Sequence, residues 1–534
     1  MDAILGEITL TRRRKKLDEM TKGEGLGDAY TATLSRVKVQ PGSKSKMGME
    51  VLMWVSHAKR PLHVDELCHA LGVEGSIDLD IRNIPAIETL LACSLGLVTI
   101  EKSSSTIRLV HYTLQEYLSR NPNLFLRPHS MIAEVCLTYL NFRRVVGFSP
   151  ALCSAPPTAP FIDYASCYWG SHSRRGNVES VKTLALKLLD GFDKHISSKI
   201  LLLHGMQFQD RPFDEEDSPR GFSGLHCAAY LGYVEIIVAL LETNKWDVQA
   251  TDFHGNTAIA WAARRGHEEV VRVLLQRSDA NPDKADKWSQ TPLLWAAANG
   301  HEGVVRMLLE RNDVNPNTPD IKYGQTPLSW VAENGHEGAV RMLLGRNDII
   351  PDKADKWGQT PLLRAAAKGH EGIMRMLLGR NDVNPDKTDM WGQTPLLRTA
   401  AKGHEGVVRT LLGRNDVNPD KADKWGQTPL SWAAADGHGG VVRMLLERND
   451  VNPNTPDTKY GQTPLSWAAE NGHEEVVTML LGRSDINPDE ADRWGQTPLS
   501  LAGQNGQEGV MKILQEWKDA NPDPPNTNCR PTPL

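Results

Sequence analysis

The sequence predicts a mainly α protein: a helical N-terminal region followed by an α-solenoid of nine two-helix units with β-hairpin turns. Three observations carry that expectation. Thr-Pro recurs at Thr291, Thr326, Thr360, Thr394, Thr428, Thr463 and Thr497, with Thr257-Ala258 and Ser223-Gly224 in register before them, at steps of 34 or 35 residues. A glycine stands nine residues after each of these positions, from Gly232 to Gly506. Beyond each glycine, Val-Val-x-x-Leu-Leu or a close variant recurs at helical spacing.

Each element of the unit has a physical reason. Threonine caps a helix, and the proline after it takes the first helical position, where its missing N–H costs nothing. A short helix follows, as in Pro361-Leu-Leu-Arg-Ala-Ala-Ala-Lys368, whose alanines let neighbouring helices approach closely. Glycine ends it. His-Glu opens a second helix, with the glutamate against its positive end. Asn-Asp-Val-Asn-Pro-Asp and Asp-x-Trp-Gly-Gln then turn the chain, glycine supplying positive φ. No unit buries its apolar side alone, so stacking must do it.

Departures from the period fall in turns. Extra residues lie within Thr318–Tyr323 and Thr455–Tyr460, so the helices should survive them. Ser289 replaces the turn glycine in one unit and is expected to distort that turn. Asn317–Glu337 and Asn454–Glu474 differ at two positions and lie 137 residues apart, which reads as a four-unit block duplication. The last unit carries Gln507 in place of histidine and polar Gln515, Glu516, Lys518 and Asp519, the mark of a cap. Residues 521–534 read as a disordered tail.

The pattern over 211–520 resembles the ankyrin repeat in T-P-L-x-x-A-A, G-H and D-x-x-G. The resemblance implies a protein-binding array. The family's histidine after T-P-L is present only as His226, so its bond to the capping hydroxyl is expected there and not in most other units.

Upstream, Met49–His57, Val64–Leu71 and Ile84–Ala92 read as helices. Gly96–Lys102 and Thr106–His111 read as a hairpin around three serines, and Tyr112–Leu118 as a closing helix. Three helices and a hairpin over 47–120 suggest a winged helix. Residues 121–210 read as a helical connector, with Met131–Phe142 and Val178–Leu189 as helices and a proline-rich break at 155–160. Pro41–Lys46 reads as a linker, and Phe208–Arg220 as a charged one.

Val51-Leu-Met-Trp-Val-Ser56, Arg60-Pro-Leu-His-Val-Asp-Glu-Leu67, Gly96-Leu-Val-Thr99 and Arg108–Leu118 resemble the module that follows the nucleotide-binding domain in fungal NACHT–ankyrin proteins. A related module is the winged helix of GPI inositol-deacylase-like proteins. Residues 1–46 would then be a remnant of the NACHT helical region and a linker. The resemblance implies an NLR-like recognition scaffold. A NACHT ATPase needs G-x-x-x-x-G-K-[ST] to hold phosphates, and no such motif stands here. Two expectations remain: a relative without its motor, or the non-catalytic targeting part of a larger enzyme or signalling NTPase whose start lies upstream.

Composition narrows the partners. Net charge is −6, with no basic excess to imply nucleic acid. Asp65 and Glu66 on Val64–Leu71 are the wrong chemistry for reading bases. Seven scattered cysteines, including Cys529, suggest neither a zinc site nor a disulfide framework, and read as buried thiols. Met1–Lys22 lacks the apolar core of a secretory signal, and no apolar run approaches the ~18 residues of a membrane helix. The cytoplasm is expected, with the nucleus as alternative, since Arg12–Lys16 reads as an import patch or an exposed helix face. The unit histidines read as helix-start residues rather than metal ligands, Asp78 and Asp80 as solvated carboxylates, and no nucleophile–base set stands out. Neither an enzyme nor a cofactor is expected.

Binding residues are expected at the hairpin tips. Asp-x-aromatic-Gly places Trp288, Tyr323, Trp357, Trp391, Trp425, Tyr460 and Trp494 in a row. Exposed, such rings would anchor a protein partner; packed on the next tip, they would stiffen the array. Arg364, Lys368, Arg398 and Lys402 add a basic centre suited to an acidic or extended segment. A second row on the first helices, Trp261, Trp295, Trp330, Trp432 and Trp467, is broken by Arg364 and Arg398 and reads as packing between units.

Overall fold

Helices dominate the computed structural model, which describes residues 26–74, 78–176, 178–205, 219–243 and 245–521. Residues 1–25 with the Arg12–Lys16 run, most of the 208–220 linker, Cys529 and all but the first residue of the 521–534 tail lie outside the described residues. The chain divides into two compact units, residues 1–262 with 269–280, and residues 263–268 with 281–534.

The first unit opens with α1 (Leu26–Lys38) and α2 (Lys44–His57), then β1 (Leu62–His63), α3 (Val64–Leu71), α4 (Ile87–Cys93), β2 (Val98–Glu101), β3 (Thr106–Leu109) and α5 (Tyr112–Arg120). The strands form an antiparallel sheet in the order β1-β3-β2. The expected hairpin is β2-β3. The two-residue β1 is too short to leave a periodic signal. The expected linker at Pro41–Lys46 is corrected, because α2 already begins at Lys44. Gly48 lets α2 press on α4: a Cβ there would sit 2.4 Å from the Cys93 carbonyl oxygen. Glu66 does not face outward. It accepts from the His63 N–H at 2.8 Å and takes both arms of Arg60, at 2.7 and 2.6 Å, capping α3.

The connector contains α6 (Pro128–Leu140), α7 (Arg143–Val146), α8 (Ile162–Ser173), α9 (Glu179–Leu189) and α10 (Ile196–Ile200). The sequence reading missed α8, whose serines, glycine and aromatics are weak helix formers. Burial forms it: Tyr164, Ala165, Trp169 and His172 are fully buried, and Trp54 meets Phe161 edge-on at 5.6 Å. Buried His195 donates from Nε2 to the Leu140 carbonyl at 3.0 Å and accepts the Ser197 N–H at Nδ1. The first repeat, Gly224–Leu231 and Val234–Glu242, follows. There His226 Nδ1 lies 2.8 Å from the Ser223 hydroxyl, as expected. Its Nε2 donates towards the carbonyls of Ala250 and Asn256, each at 3.1 Å.

In the second unit, seven first helices run from Pro292–Ala298 to Pro498–Gln504, and their partners from Glu302–Leu309 to Glu508–Ala520. Thr394 is typical of the caps, its hydroxyl accepting the Leu397 N–H at 3.1 Å. Where Ser329, Ser431 and Ser466 stand in place of the family's histidine, their hydroxyls meet the capping threonine at 3.0–3.1 Å. Helices Pro327–Asn334 and Pro464–Asn471 are intact beside the two insertions, as expected.

Polar ladders stitch successive repeats. From His301 to His473, the histidine at each second helix reaches back to a carbonyl at the end of the preceding first helix. His301 meets Arg264 at 3.0 Å, His370 meets Glu333 at 3.0 Å and His473 meets Ala435 at 2.9 Å. In the last unit Gln507 makes the same reach to Glu470 at 3.4 Å. On the other side, Arg346, Arg380, Arg414, Arg448 and Arg483 cap the carboxyl end of the preceding second helix at 2.7–3.0 Å. That is where the helix dipole favours a cation. Trp517 Nε1 takes over this task in the last unit, at 3.2 Å from the Leu481 oxygen.

Candidate functional site

The tips are built around one aspartate. In the unit of Asp355, Oδ1 accepts the N–H of Trp357 at 2.8 Å and of Gln359 at 2.9 Å, while the Asp355 N–H closes the loop on the Gln359 carbonyl at 3.0 Å. Gly358 at φ +77° completes the turn. Ser289 does not distort its tip, contrary to expectation. It adopts φ 61°, and the N–H groups of Trp288 and Gln290 reach Asp286 Oδ1 at 2.9 and 2.8 Å. The left-handed backbone costs serine about 1 kcal/mol, which the intact hydrogen bonds offset.

The second carboxylate oxygen binds five of the seven residues in the row on the first helices. Trp261, Trp330 and Trp432 donate their indole N–H to Oδ2 of Asp252, Asp320 and Asp423, at 2.8, 3.3 and 3.1 Å. Where the row breaks, Arg364 and Arg398 donate to Asp355 and Asp389 instead. Tryptophan and arginine fill the same donor role in these five units, whereas the indole N–H groups of Trp295 and Trp467 make no such bond. The packing expected of this row is found in part: Trp261 and Trp295 are buried, and the other three are half-buried. Arg264 lies over the Trp295 ring at 3.9 Å.

This arrangement corrects the basic centre. The Arg364 side chain is 12% exposed and held by Asp355 and Glu333; Arg398 is held by Asp389. Lys368 lies 3.9 Å from Glu333, and Lys402 is exposed. Carboxylates of the array itself therefore balance most of the charge that suggested an acidic partner.

Replacing Arg364 tests the shared donor role. Leucine there should cost about 3 kcal/mol, because the Asp355 carboxylate is left buried without its partner. Tryptophan should recover most of that loss. Urea denaturation of the two variants checks this, and equal midpoints would remove the interchange argument.

The tip aromatics are brought into a single row. All but the last, Trp494, hand their carbonyl to an N–H of the next tip: Trp288 to Ile321 at 2.8 Å, Tyr323 to Lys356 at 3.0 Å, Trp357 to Met390 at 2.8 Å, Trp391 to Lys424 at 2.9 Å, Trp425 to Thr458 at 2.7 Å and Tyr460 to Arg493 at 2.9 Å. Their rings differ in exposure. Tyr323 packs on Trp357 at 5.7 Å, and Tyr460 on Trp494 at the same distance. Arg364 and Arg398 lie over Trp357 and Trp391 at 5.8 and 5.7 Å. Trp425 is 41% exposed and Trp494 is 65% exposed. Beside Trp425 a cleft of about 220 Å³ opens, walled by Trp432 and Tyr460 and floored by Asp457. The row thus both stiffens the array and leaves two rings open, Trp494 the more exposed and Trp425 beside a cleft.

The unit histidines keep the helix-start positions expected of them and add the carbonyl contacts above. Asp80 is no free carboxylate, since it caps a short 3-10 turn and binds Arg82 at 2.7 Å. Cys68, Cys93, Cys136 and Cys227 are buried thiols. None of the described helices is long and apolar enough to cross a membrane.

Comparison with known families agrees with this geometry. The model described as "Ankyrin repeats (3 copies)" matches overlapping windows from 173–286 to 449–528. The model described as "GPI inositol-deacylase, winged helix domain" matches residues 36–125. A comparison with curated proteins returned no match. With two thirds of its length matched window after window, and with the caps, turns and stacked helix pairs in place, the chain belongs to the ankyrin-repeat family.

Proposed function

We propose that this protein is a recognition scaffold of the NACHT–ankyrin, NLR-like type, acting without an ATPase of its own, in the cytoplasm or the nucleus. The observation that carries the reading is the open aromatic cleft at Trp425, Trp432 and Tyr460 within a row of tips locked tip to tip. Ankyrin arrays are protein-interaction modules, and a stiff row with a few open rings loses little freedom when it meets a partner. The partner is a protein segment that lays an apolar side chain in the cleft while its backbone runs along the tips. Tyr323, Trp357, Trp391 and Trp494 line the same track. The N-terminal module docks or relays.

Changing Trp425 to alanine should weaken partner capture tenfold or more, as loss of a central aromatic anchor does. It should cost no more than about 1–2 kcal/mol of stability, since the ring is only partly covered. Affinity purification of the full chain with and without W425A, paired with a melting curve, checks both. Unchanged capture with unchanged folding would remove the assignment.

The winged-helix match favours a second reading, in which the chain is the non-catalytic targeting part of a larger enzyme or signalling NTPase. An in-frame P-loop or hydrolase segment upstream of Met1 in the transcript would decide for it.

A further inference from the structure

Four elements of the first unit converge on a cleft of about 280 Å³ that the recognition reading does not use. The end of α2 supplies His57 and, just beyond it, Lys59. Helix α5 supplies Gln115 and Ser119, the first turn of α6 supplies His129, and Arg175 follows α8. No carboxylate is among the residues that line it.

The cationic side is held in place from behind. Arg175 Nη1 lies 3.4 Å from His129 Nε2. His129 Nδ1 lies 2.9 Å from Nδ1 of buried His172, and His172 Nε2 lies 3.0 Å from the Tyr164 hydroxyl. That hydroxyl also accepts the Lys59 backbone N–H, at 3.0 Å. A guanidinium can only donate, so it fixes the proton order. His129 accepts at Nε2 and donates from Nδ1 to His172, which donates from Nε2 to Tyr164. Both imidazoles are then neutral, and the ammonium of Lys59 and the guanidinium of Arg175 share one opening. Burial, then Arg175 and Arg174, hold Lys59 below the ordinary lysine range. Burial, then His57, Arg175 and Lys59, push His129 down to about 4. Crowded cations with no carboxylate in the wall are what an anion would relieve.

We propose that this cleft binds a small phosphate-bearing anion, either inorganic phosphate or a compact phosphomonoester. Two cations at one mouth, Lys59 and Arg175, match a dianion, whereas a carboxylate would balance only one. Lys59, Gln115 and Arg175 bring donors from three separate elements, which suits the several oxygens of a phosphoryl group. The volume leaves room for a small organic group beside the phosphoryl oxygens.

Calorimetric titration of the full chain with inorganic phosphate, and separately with glycerol 2-phosphate, tests this at ionic strength held constant with chloride. Saturable binding of either probe at millimolar concentration or below is expected, and the stronger probe identifies the source. Lys59→Gln and Arg175→Gln should each weaken it about tenfold, the ordinary effect of losing one charge-assisted contact. Ser119→Asp, on an exposed position, should abolish it by placing a carboxylate at the mouth, and decides the matter even if the other two variants fold poorly. Heats no different from chloride alone, or phosphate binding that survives Ser119→Asp, would overturn the proposal.

Discussion

Between pH 6.5 and 4 the N-terminal unit is expected to lose more stability than the repeat-rich unit. His226 is fully buried, and burial pushes its imidazole from the ordinary 6.5 down to about 4. His195 is lowered to about 4 by the same cause. In this window the unfolded chain binds a proton that each native imidazole refuses, so stability falls as pH falls. Each histidine can contribute about 3 kcal/mol at most to the loss. Together they amount to a large share of the ~5–15 kcal/mol that holds a typical domain. The repeat-rich unit carries opposing terms: burial lowers His301 as well, which acts in the same direction as His226. Burial raises the carboxyls of Asp352, Asp386 and Asp420, so there the native state takes up protons before the unfolded one. Hydrogen exchange followed by peptide, at pH 7 and pH 4.5, separates the two units. Equal loss of protection in both, or a pH-independent first unit, would contradict the expectation. His226→Gln and His195→Gln should make the acid limb shallower, with His129 and His172 carrying what remains.

The second large effect is expected from one added methyl group. Gly403 has φ +70°, and a Cβ on it would lie 2.6 Å from Nδ1 of His438 in the following repeat. Gly403→Ala should therefore cost about 1 kcal/mol for the left-handed backbone, and about 2–3 kcal/mol more for overpacking that pushes the ring off the Ala401 carbonyl. Gly506 provides the control. Its φ is +68°, but nothing lies within 4 Å of the Cβ position. Gly506→Ala should thus show the backbone cost alone. If both variants lose the same stability in urea, the histidine contact contributes nothing to coupling between repeats.

That glycine illustrates what was legible in the sequence. Its period and its place after a short helix gave the helix end, because a positive φ leaves a local signature. The reason it cannot gain a side chain lies 35 residues away in His438 and has no local signature. The same division runs through the candidate site. Trp288, Tyr323, Trp357, Trp391, Trp425, Tyr460 and Trp494 were readable as a row, but which rings stay open depends on what covers them. Arg364 and Arg398 read as a free basic centre because sequence shows charge, not its neighbours; Asp355 and Asp389 were already in view as turn residues. Helix α8 was hidden for a different reason. Its stability comes from burial on most sides, which masks the amphipathic period that marks a surface helix.

The exchange of tryptophan for arginine opposite the tip aspartate has a consequence for how such a protein changes over time. Two side chains unlike in charge, size and stickiness answer the same internal demand for one N–H. A replacement at that position can therefore redraw what an incoming molecule meets while the scaffold beneath keeps its register. Specificity can drift repeat by repeat, and folding need not be solved again each time.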